Sequence, residues 1–305
     1  MAADTTATLT GEMMTFLERT FLERSKAKQI HAQGAKKKAH SRNSGKSIVF
    51  NRYSPLAVAT TALTEATNPA ESNLTGATVT ATVAEYGNFV KVSSLLYGTS
   101  IDREAKEKTE VISQNAGETL DTLVRNELAS GATTQFAGGK AALTAVAASD
   151  VLSSTEVRKA VKTLKKNNAI AYGDGYFLGK LGPDTVYNLQ ADGTTWINVA
   201  TYKDSAKEIY TGEVGKLFGV RFIEASSNQY NESSTATVYS NFIHGQEAFA
   251  TVDLSGENTE LIIKQSDKSD TSNALNMFMT VGWKATFATK TLNANWIVNV
   301  KCGSQ

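Results

Sequence analysis

The sequence predicts an α+β protein with an N-terminal arm, an extended β-hairpin and two α+β units, one of them inserted into the other. Three observations support this fold class. A helical pattern of about 30 residues follows the hairpin, segments of two-residue periodicity lie on both sides of it, and basic residues concentrate between positions 24 and 52. A chain of 305 residues is long enough for about two domains.

The composition is that of an ordinary globular protein, with 41% hydrophobic and 20% charged residues. Cys302 is the single cysteine, which excludes an intrachain disulfide and a cysteine-based zinc site. We expect a free thiol there, able to bridge copies only in an oxidising medium. No apolar run approaches the roughly 20 residues that span a bilayer, and the first residues lack a signal-peptide pattern. We therefore expect a cytoplasmic product without a membrane partner.

Residues 1–45 are predicted to form an arm that contains one short helix, at residues 12–28. Apolar residues recur in this helix at helical spacing, and they are Met13, Met14, Leu17 and Phe21. The apolar stripe has no partner within the arm, so it must pack on the body or on a neighbouring subunit. These four residues are therefore candidates for an intersubunit contact.

The net charge of +1 is unevenly distributed along the chain. Between positions 24 and 64 there are nine basic residues and no acidic one, which leaves 22 basic and 30 acidic residues, a balance of −8, elsewhere. The nine are Arg24, Lys26, Lys28, Lys36, Lys37, Lys38, Arg42, Lys46 and Arg52. A basic segment beside an acidic body favours contact with a polyanion such as DNA, or with an acidic face of another copy. A solvated tail is the plainer interpretation of the same charges.

Residues 46–97 are predicted to be extended. Ser47–Tyr53 is rich in β-branched and aromatic residues, and residues 78–84 alternate threonine with small apolar side chains. Pro69 and Gly76 interrupt the polar stretch between them. Two strands around a long polar tip form a hairpin that is marginally stable alone. We therefore expect this hairpin to lie on another surface.

A long helix is predicted after the hairpin, from a capping pattern at Thr99 and Asp102 to Gly131. Its apolar face contains Ile101, Ala105, Ile112, Ala116, Leu120 and Leu123. About 30 residues at 1.5 Å each give roughly 45 Å of helix, which is longer than a compact domain of this size requires.

The inserted unit is predicted at residues 150–252. Ser153 and Glu156 open an amphipathic helix, and a second helix starts at Pro183. Short strands are expected at residues 176–178, 220–223, 235–243 and 249–252.

The last part of the chain returns to long strands. Alternate residues are apolar from Met277 to Phe287, and Trp296, Val298 and Val300 repeat the pattern. We expect these strands to pack under the long helix and to complete the unit that the insertion interrupts. The three tryptophans are interpreted as core or interface anchors.

The residues predict a protein that is not an enzyme, with no cofactor and no metal. Gly45-Lys46-Ser47 resembles the end of a phosphate-binding loop, but His40 stands where that pattern needs glycine. His31 and His40 lie in the arm, where we expect no rigid catalytic geometry, and His244 is expected in a surface turn. The spacing of histidine and acidic residues matches no metal-ligand motif.

Several strings between residues 43 and 290 carry a resemblance to a known family. They are NSGKSIVFNRY at 43–53, LTE at 63–65 with Pro69, TATVAEYGNFV at 80–90, ETLDTLVR at 118–125, YTGEVGKLFGVRFIE at 210–224, Gly245 with Ala248-Phe249, and VGWKA at 281–285. In this order the strings resemble the major capsid proteins of tailed phages, in the family typified by the coat protein of the lytic coliphage N-four. Ala66 stands where family members often have glycine, so the hairpin tip is expected to turn differently.

The resemblance implies the capsid fold shared by tailed phages and herpesviruses. It divides the chain into an arm (1–45), an extended loop (46–97), a peripheral domain with a spine helix (98–149), an axial domain (150–252) and C-terminal peripheral strands (253–305). It implies hexamers and pentamers that form an icosahedral head around double-stranded DNA, assembled in the host cytoplasm. Implied partners are a portal and scaffolding or decoration proteins. A tail-tube or surface-layer-like subunit is the structural alternative, and a hydrolase with scattered carboxylates is the enzymatic one.

Overall fold

The structure, a computed structural model, describes most of the chain. The described residues are 11–41, 44–54, 56–63, 65–95, 104–191, 196–198, 212–227, 230–232, 236–254, 259–264 and 275–303. They form two β-sheets, a separate β-hairpin and the helices packed on them. This mixed architecture is the α+β class expected from the sequence.

The described helices lie close to their predicted positions. They are α1 (Gly11–Lys28), α2 (Glu104–Gly131), α3 (Ser154–Lys166) and α4 (Pro183–Ala191). The long helix α2 contains 28 residues and ends at the predicted glycine. The predicted capping residues Thr99 and Asp102 lie outside the described residues.

The strands are more numerous than the sequence predicts. They are β1 (Lys36–His40), β2 (Ser47–Tyr53), β3 (Gly76–Thr82), β4 (Ala84–Ser93), β5 (Thr133–Phe136), β6 (Phe177–Leu181), β7 (Ile197–Asn198), β8 (Glu213–Leu217), β9 (Val220–Glu224), β10 (Tyr230–Glu232), β11 (Thr237–His244), β12 (Phe249–Leu254), β13 (Glu260–Lys264), β14 (Phe278–Thr291) and β15 (Ile297–Gly303). The strand β1 in the basic segment is one that periodicity did not indicate.

A five-stranded sheet lies under α2, with the order β1-β12-β14-β13 and with β4 also paired to β14. Alternate side chains of β14, such as Val281 and Trp283, are buried in one core with the apolar face of α2. The predicted two-residue periodicity is therefore present from Met279 onward. Met277 precedes the strand and is 62% exposed.

An eight-stranded sheet has the order β5-β15-β11-β6-β9-β8-β7, with β10 also paired to β11. The helix α3 buries its predicted stripe in the core of this sheet, and the stripe consists of Val157, Ala160, Val161 and Leu164. The charged face of α3 stays exposed. The inserted unit is thus built around this second sheet.

Two strands differ in sheet membership from what the sequence led us to expect. The strand β12, expected in the inserted unit, pairs with β14 in the five-stranded sheet. The strand β15, expected under α2, pairs with β11 in the eight-stranded sheet. Periodicity defines which face of a strand is buried but not which partner the strand finds, so these pairings were not predictable from it.

The predicted hairpin forms as the antiparallel pair β2–β3. Ile48, Phe50 and Ala81 at its base are buried against Ala250 and Val252 of the five-stranded sheet. The expectation that the hairpin needs a supporting surface is therefore met at its base within the chain. Its distal half extends away from this contact.

Candidate assembly surfaces

The helix α1 packs on α2 of the same chain. Leu17 is 5% exposed and Phe21 1% exposed, and both belong to the core that α2 and the five-stranded sheet share. The helices approach so closely that a side chain at Gly117 would meet the Ser25 carbonyl oxygen. Leu17 and Phe21 therefore bury their apolar surface on the body of the same chain, which is one of the two alternatives that the sequence left open. An intersubunit contact made by α1 stays a prediction.

Met13 and Met14, the other two residues of the predicted stripe, have side chains outside the described residues. On the outward side of α1, Phe16 is 56% exposed and Leu22 is 37% exposed. If α1 contacts a neighbouring copy, these outward residues are the ones available.

Several residues of the basic segment are paired within the chain. Arg24 lies 3.1 Å from Glu110 and Lys28 lies 3.5 Å from Glu118, both across the α1–α2 contact. Lys36 lies 2.9 Å from Glu247. These three basic side chains neutralise acidic groups of their own body, which reduces what they can offer a polyanion.

The remaining basic residues have different surroundings. Lys38 donates a hydrogen bond to the Val49 carbonyl oxygen at 3.1 Å and lies 5.0 Å from the centre of the Phe50 ring. Four others are exposed, namely Lys26, Lys37, Lys46 and Arg52. Arg42 lies outside the described residues. The structure thus divides the predicted basic segment into an internal part and an outward part.

The distal half of the hairpin is the most exposed apolar feature of the described chain. Every described residue from 56 to 75 is exposed. Four large apolar side chains lie there, with exposed fractions of 54% for Leu56, 85% for Val58, 75% for Leu63 and 57% for Leu74. The neighbouring Ala66 adopts a left-handed backbone conformation with φ of 61°. Exposed apolar segments of this kind mark surfaces that bind another protein.

A groove of about 680 Å³ lies between α1 and the five-stranded sheet. Leu22, Leu120 and Phe287 contribute apolar surface to its walls, Lys26 and Lys37 add positive charge, and Asp253 adds a carboxyl group whose pKa is raised by burial. This groove joins the outward face of α1 to the outward part of the basic segment.

A buried polar cluster lies where α1, α2 and the eight-stranded sheet meet. The backbone N–H of His31 donates to Asp121 Oδ1 at 2.6 Å, and His31 Nδ1 lies 2.7 Å from Asp121 Oδ2. The buried Lys180 donates to the His31 carbonyl oxygen at 2.5 Å. Two expectations were therefore wrong: His31 is rigidly held and buried, and His244 is also buried and lies at the end of β11.

The pKa values of the groups in this cluster are shifted by burial and by the neighbouring charges. Burial would raise the pKa of Asp121, but hydrogen bonds from His31 and Ser227 and the charge of His31 together lower it. Burial lowers the pKa of Lys180 to about 7, against the opposing pull of Asp121. Burial and the charge of Lys180 hold the pKa of His244 well below its usual value.

One pattern in the sequence of α2 points to this cluster. Thr109, Ser113, Gly117 and Asp121 recur every fourth residue along α2, beside its apolar stripe. Small and polar residues in such a row allow another segment to approach closely. The buried aspartate at the end of that row indicated that the approaching segment carries its partner.

Cys302 is buried and accepts a hydrogen bond from the Asn241 side chain at 3.1 Å. Burial raises the pKa of its thiol to about 12. The free thiol expected from the sequence is present, but β15 carries it into the sheet core, where it is not exposed to a second copy. The core role expected for the tryptophans holds for Trp283, which is 3% exposed and donates to Asn115 at 3.0 Å.

The described part of the chain contains no group of three or more His, Cys, Asp or Glu side chains arranged to hold a metal ion. Within the same residues, no helix combines the length and the apolar character needed to cross a membrane.

Comparison with known proteins identifies the fold. No protein-family model matches the chain, and no curated protein matches it. The capsid of Ralstonia phage GP4 is similar with a TM-score of 0.73 and 12% identity, over 89% of this chain and 87% of that chain. The capsid protein of cyanophage Pam1 has a TM-score of 0.62 and 17% identity, over 86% of each chain. The capsid of cyanophage P-SCSP1u has a TM-score of 0.61 and 14% identity, over 89% of this chain and 87% of that chain.

The chain therefore has the tailed-phage capsid fold, which confirms the fold class predicted from the sequence. The finer resemblance, to the N-four type of coat protein, stays a prediction.

Proposed function

We propose that the chain is a major capsid protein that assembles as hexamers and pentamers into an icosahedral head around phage double-stranded DNA. The exposed hairpin tip carries this proposal, on a fold shared with phage capsids over 89% of the chain. Its apolar side chains are unfavourable in water, and burying them on another copy removes that penalty. A copy that both supplies a tip and receives one can build closed symmetric shells.

The receiving surface in this proposal is the groove between α1 and the five-stranded sheet of a second copy. Its apolar walls suit the leucines and valine of the tip. Residues 54–75 contain Glu65 and Glu71 and no basic residue, whereas the groove carries Lys26 and Lys37 and one acidic residue, Asp253. Opposite charges at an interface speed encounter and define orientation more than they add affinity.

The predicted domain limits remain a proposal: an arm at 1–45, an extended loop at 46–97, an axial unit near 150–252 and a peripheral unit from the rest. Because β12 pairs with β14 and β15 pairs with β11, we assign β12 to the peripheral unit and β15 to the axial unit in this proposal. The proposed role is structural and not enzymatic, in the virion. A portal and scaffolding or decoration proteins are its expected partners.

Contact with packaged DNA is the second part of the proposal, now limited to the outward basic residues. Lys46 and Arg52 are both exposed and lie on or beside β2. For nonspecific DNA binding, a plot of log K against log salt concentration has a slope of about −0.9 for each phosphate contact. The double variant Lys46→Ala with Arg52→Ala should therefore make this slope shallower by up to about 1.8, while the shells stay intact. Unchanged retention with damaged shells would favour contact with a neighbouring copy instead.

Imaging of the purified chain by negative-stain electron microscopy tests assembly. We expect icosahedral particles from the wild type, and unassembled but folded protein from Val58→Asp with Leu63→Asp. Val111→Asp is the matched control, because Val111 is 64% exposed on α2, away from the tip. Tip variants that build normal particles would remove the hairpin from the assembly mechanism. A wild type that never forms closed shells would overturn the proposed function.

A further inference from the structure

The connection between α1 and β1, residues 29–35, is half-exposed along the groove and is anchored in the interior by one residue. His31 in this connection is fully buried. Gly34 has φ of +79°, and a side chain there would collide with the Tyr172 hydroxyl. A loop on the surface would need neither a buried histidine nor a glycine without room for a side chain. These two features indicate that the connection contributes to holding the fold together.

Polar groups from separate parts of the fold hold the connection. On the α2 side, Asp121 binds both the backbone N–H and the ring of His31, as described above. Ser227 donates to the same carboxylate at 2.7 Å, and Arg125 donates to the Ser227 carbonyl oxygen at 2.5 Å. On this side, the connection is therefore tied to the long helix through a buried carboxylate.

The eight-stranded sheet supplies the second set of contacts. Lys180 of β6 donates to the His31 carbonyl oxygen, and its ammonium lies 4.6 Å from the centre of the Phe249 ring. Tyr172 donates to the Gly34 carbonyl oxygen at 2.8 Å and lies 3.1 Å from His244 Nδ1. The connection thus joins α2 to the second sheet by polar contacts that need both sides in place.

We propose that residues 29–35 form a proton-sensitive lock that holds the N-terminal segment on the body, and that opening of the lock takes up protons. The titratable and charged groups facing it are Asp121 and Arg125 from α2, His31 from the connection, Tyr172, Lys180 from β6 and His244 from β11, and on the groove side Lys26, Lys37 and Asp253. Burial raises the pKa of Asp253 from 3.8 against the pull of Lys37, so this one group favours the closed state when it is protonated in acid. The lock is a property of the single chain and acts whether or not copies assemble.

The sign follows from the two basic groups. Burial lowers the pKa of Lys180 to about 7 in the closed chain, whereas a solvated lysine keeps 10.5. Between these values opening binds a proton, so a falling pH favours the open state. The pKa of His244, depressed by burial and by Lys180, acts in the same direction below its ordinary value of 6.5. The pKa of Asp121 is lowered from 3.8, so its protonation opens the lock only in stronger acid.

Opening would release α1 and β1 together, because both flank the connection. It would uncover Leu17 and Phe21 and the row of small residues on α2 that they cover. It would also change the groove, since Lys26 and Lys37 line it. The lock therefore couples solution pH to the surface that this molecule presents at its N-terminal side.

Hydrogen exchange measured by mass spectrometry on the full chain tests the lock. The readout is the protection factor of amides in residues 15–40 divided by that of amides in β15, which serves as an internal reference. We expect this ratio to fall by roughly 20-fold from about pH 8.5 to about pH 6.5, given pKa values of about 7 and 10.5 for the closed and open states. A ratio that stays constant over this range would overturn the proposal.

Lys180→Met removes the buried amino group that titrates and keeps an apolar side chain, so most of the pH dependence should disappear. Lys162→Met is the control, because Lys162 is exposed on α3 and its replacement should leave the 20-fold change intact.

Tyr172→Phe is a second variant that tests the lock if Lys180→Met does not fold. Losing its hydroxyl should lower the ratio about fivefold at every pH while the slope remains. An unchanged ratio in Tyr172→Phe, or a wild-type slope in Lys180→Met, contradicts the lock.

Discussion

Arg24 of α1 lies 3.1 Å from Glu110 of α2, which ties the start of the basic segment to the long helix of the same chain. Both side chains are partly exposed, and such pairs contribute about 0–1 kcal/mol to stability. The pair therefore contributes little to holding α1 on α2. The burial of the apolar side chains Leu17 and Phe21 against α2 contributes more free energy than the pair does.

Phe21→Ala should reduce the free energy of unfolding by about 3–5 kcal/mol, because the ring is 1% exposed in the core under α2. Denaturant unfolding of the chain measures this change. Phe16→Ala is the matched control on the same helix, and it should change stability by no more than about 0.5 kcal/mol, since Phe16 is 56% exposed. Equal effects of the two substitutions would contradict the docking of α1 on its own chain.

Trp283→Phe should lower the free energy of unfolding by about 1–3 kcal/mol. The indole donates to Asn115 of α2 at 3.0 Å, and phenylalanine loses this hydrogen bond and part of the ring volume. We expect the double variant Trp283→Phe with Asn115→Ala to lose less stability than the sum of the two single variants, because both single substitutions remove the same hydrogen bond. If the two losses simply add, the hydrogen bond contributes little.

Asp121→Asn should destabilise the chain near neutral pH by about 2–3 kcal/mol, since it weakens charged hydrogen bonds in a buried site. The pKa of Asp121 is lowered in the folded chain, so its stabilising effect is present above pH 3.8 and is lost as the pH falls through the folded value. The difference in stability between wild type and variant should therefore shrink towards acid. Thermal unfolding between about pH 2.5 and pH 7 measures it, and a constant difference would argue against an ionised Asp121 in the cluster.

Cys302 should react with thiol reagents at a rate governed by unfolding. Its thiolate is the reactive species, and burial raises the pKa of the thiol to about 12. Labelling in native buffer should be slower by about 1000-fold or more than in denaturant, in line with the rarity of the unfolded state. Rapid labelling of the native chain would show that β15 opens locally. Intact copies should also show no disulfide-linked dimers under oxidising conditions.

Local patterns were enough to locate α1, α3, the β2–β3 hairpin and the buried face of β14. Each depends on a repeat of two or of 3.6 residues, which neighbouring residues in the chain determine together. The same patterns misjudged His31 and His244. A lone histidine has no periodicity, and its burial depends on a partner such as Asp121, which is 90 positions away from His31.

The order of segments, their secondary structure and the uneven charge are properties of the amino-acid sequence, because they depend on near neighbours and on composition. The pairing of Arg24 and Lys28 within the chain was decided by the packing of α1 on α2, which brings Glu110 and Glu118 to them. Sheet membership of β12 and β15, and the burial of Lys180 beside the connection, were likewise settled by long-range pairing. Such contacts form between segments that are far apart in the chain, and they depend on how all of these segments pack together. A local repeat in the sequence carries no information about that packing.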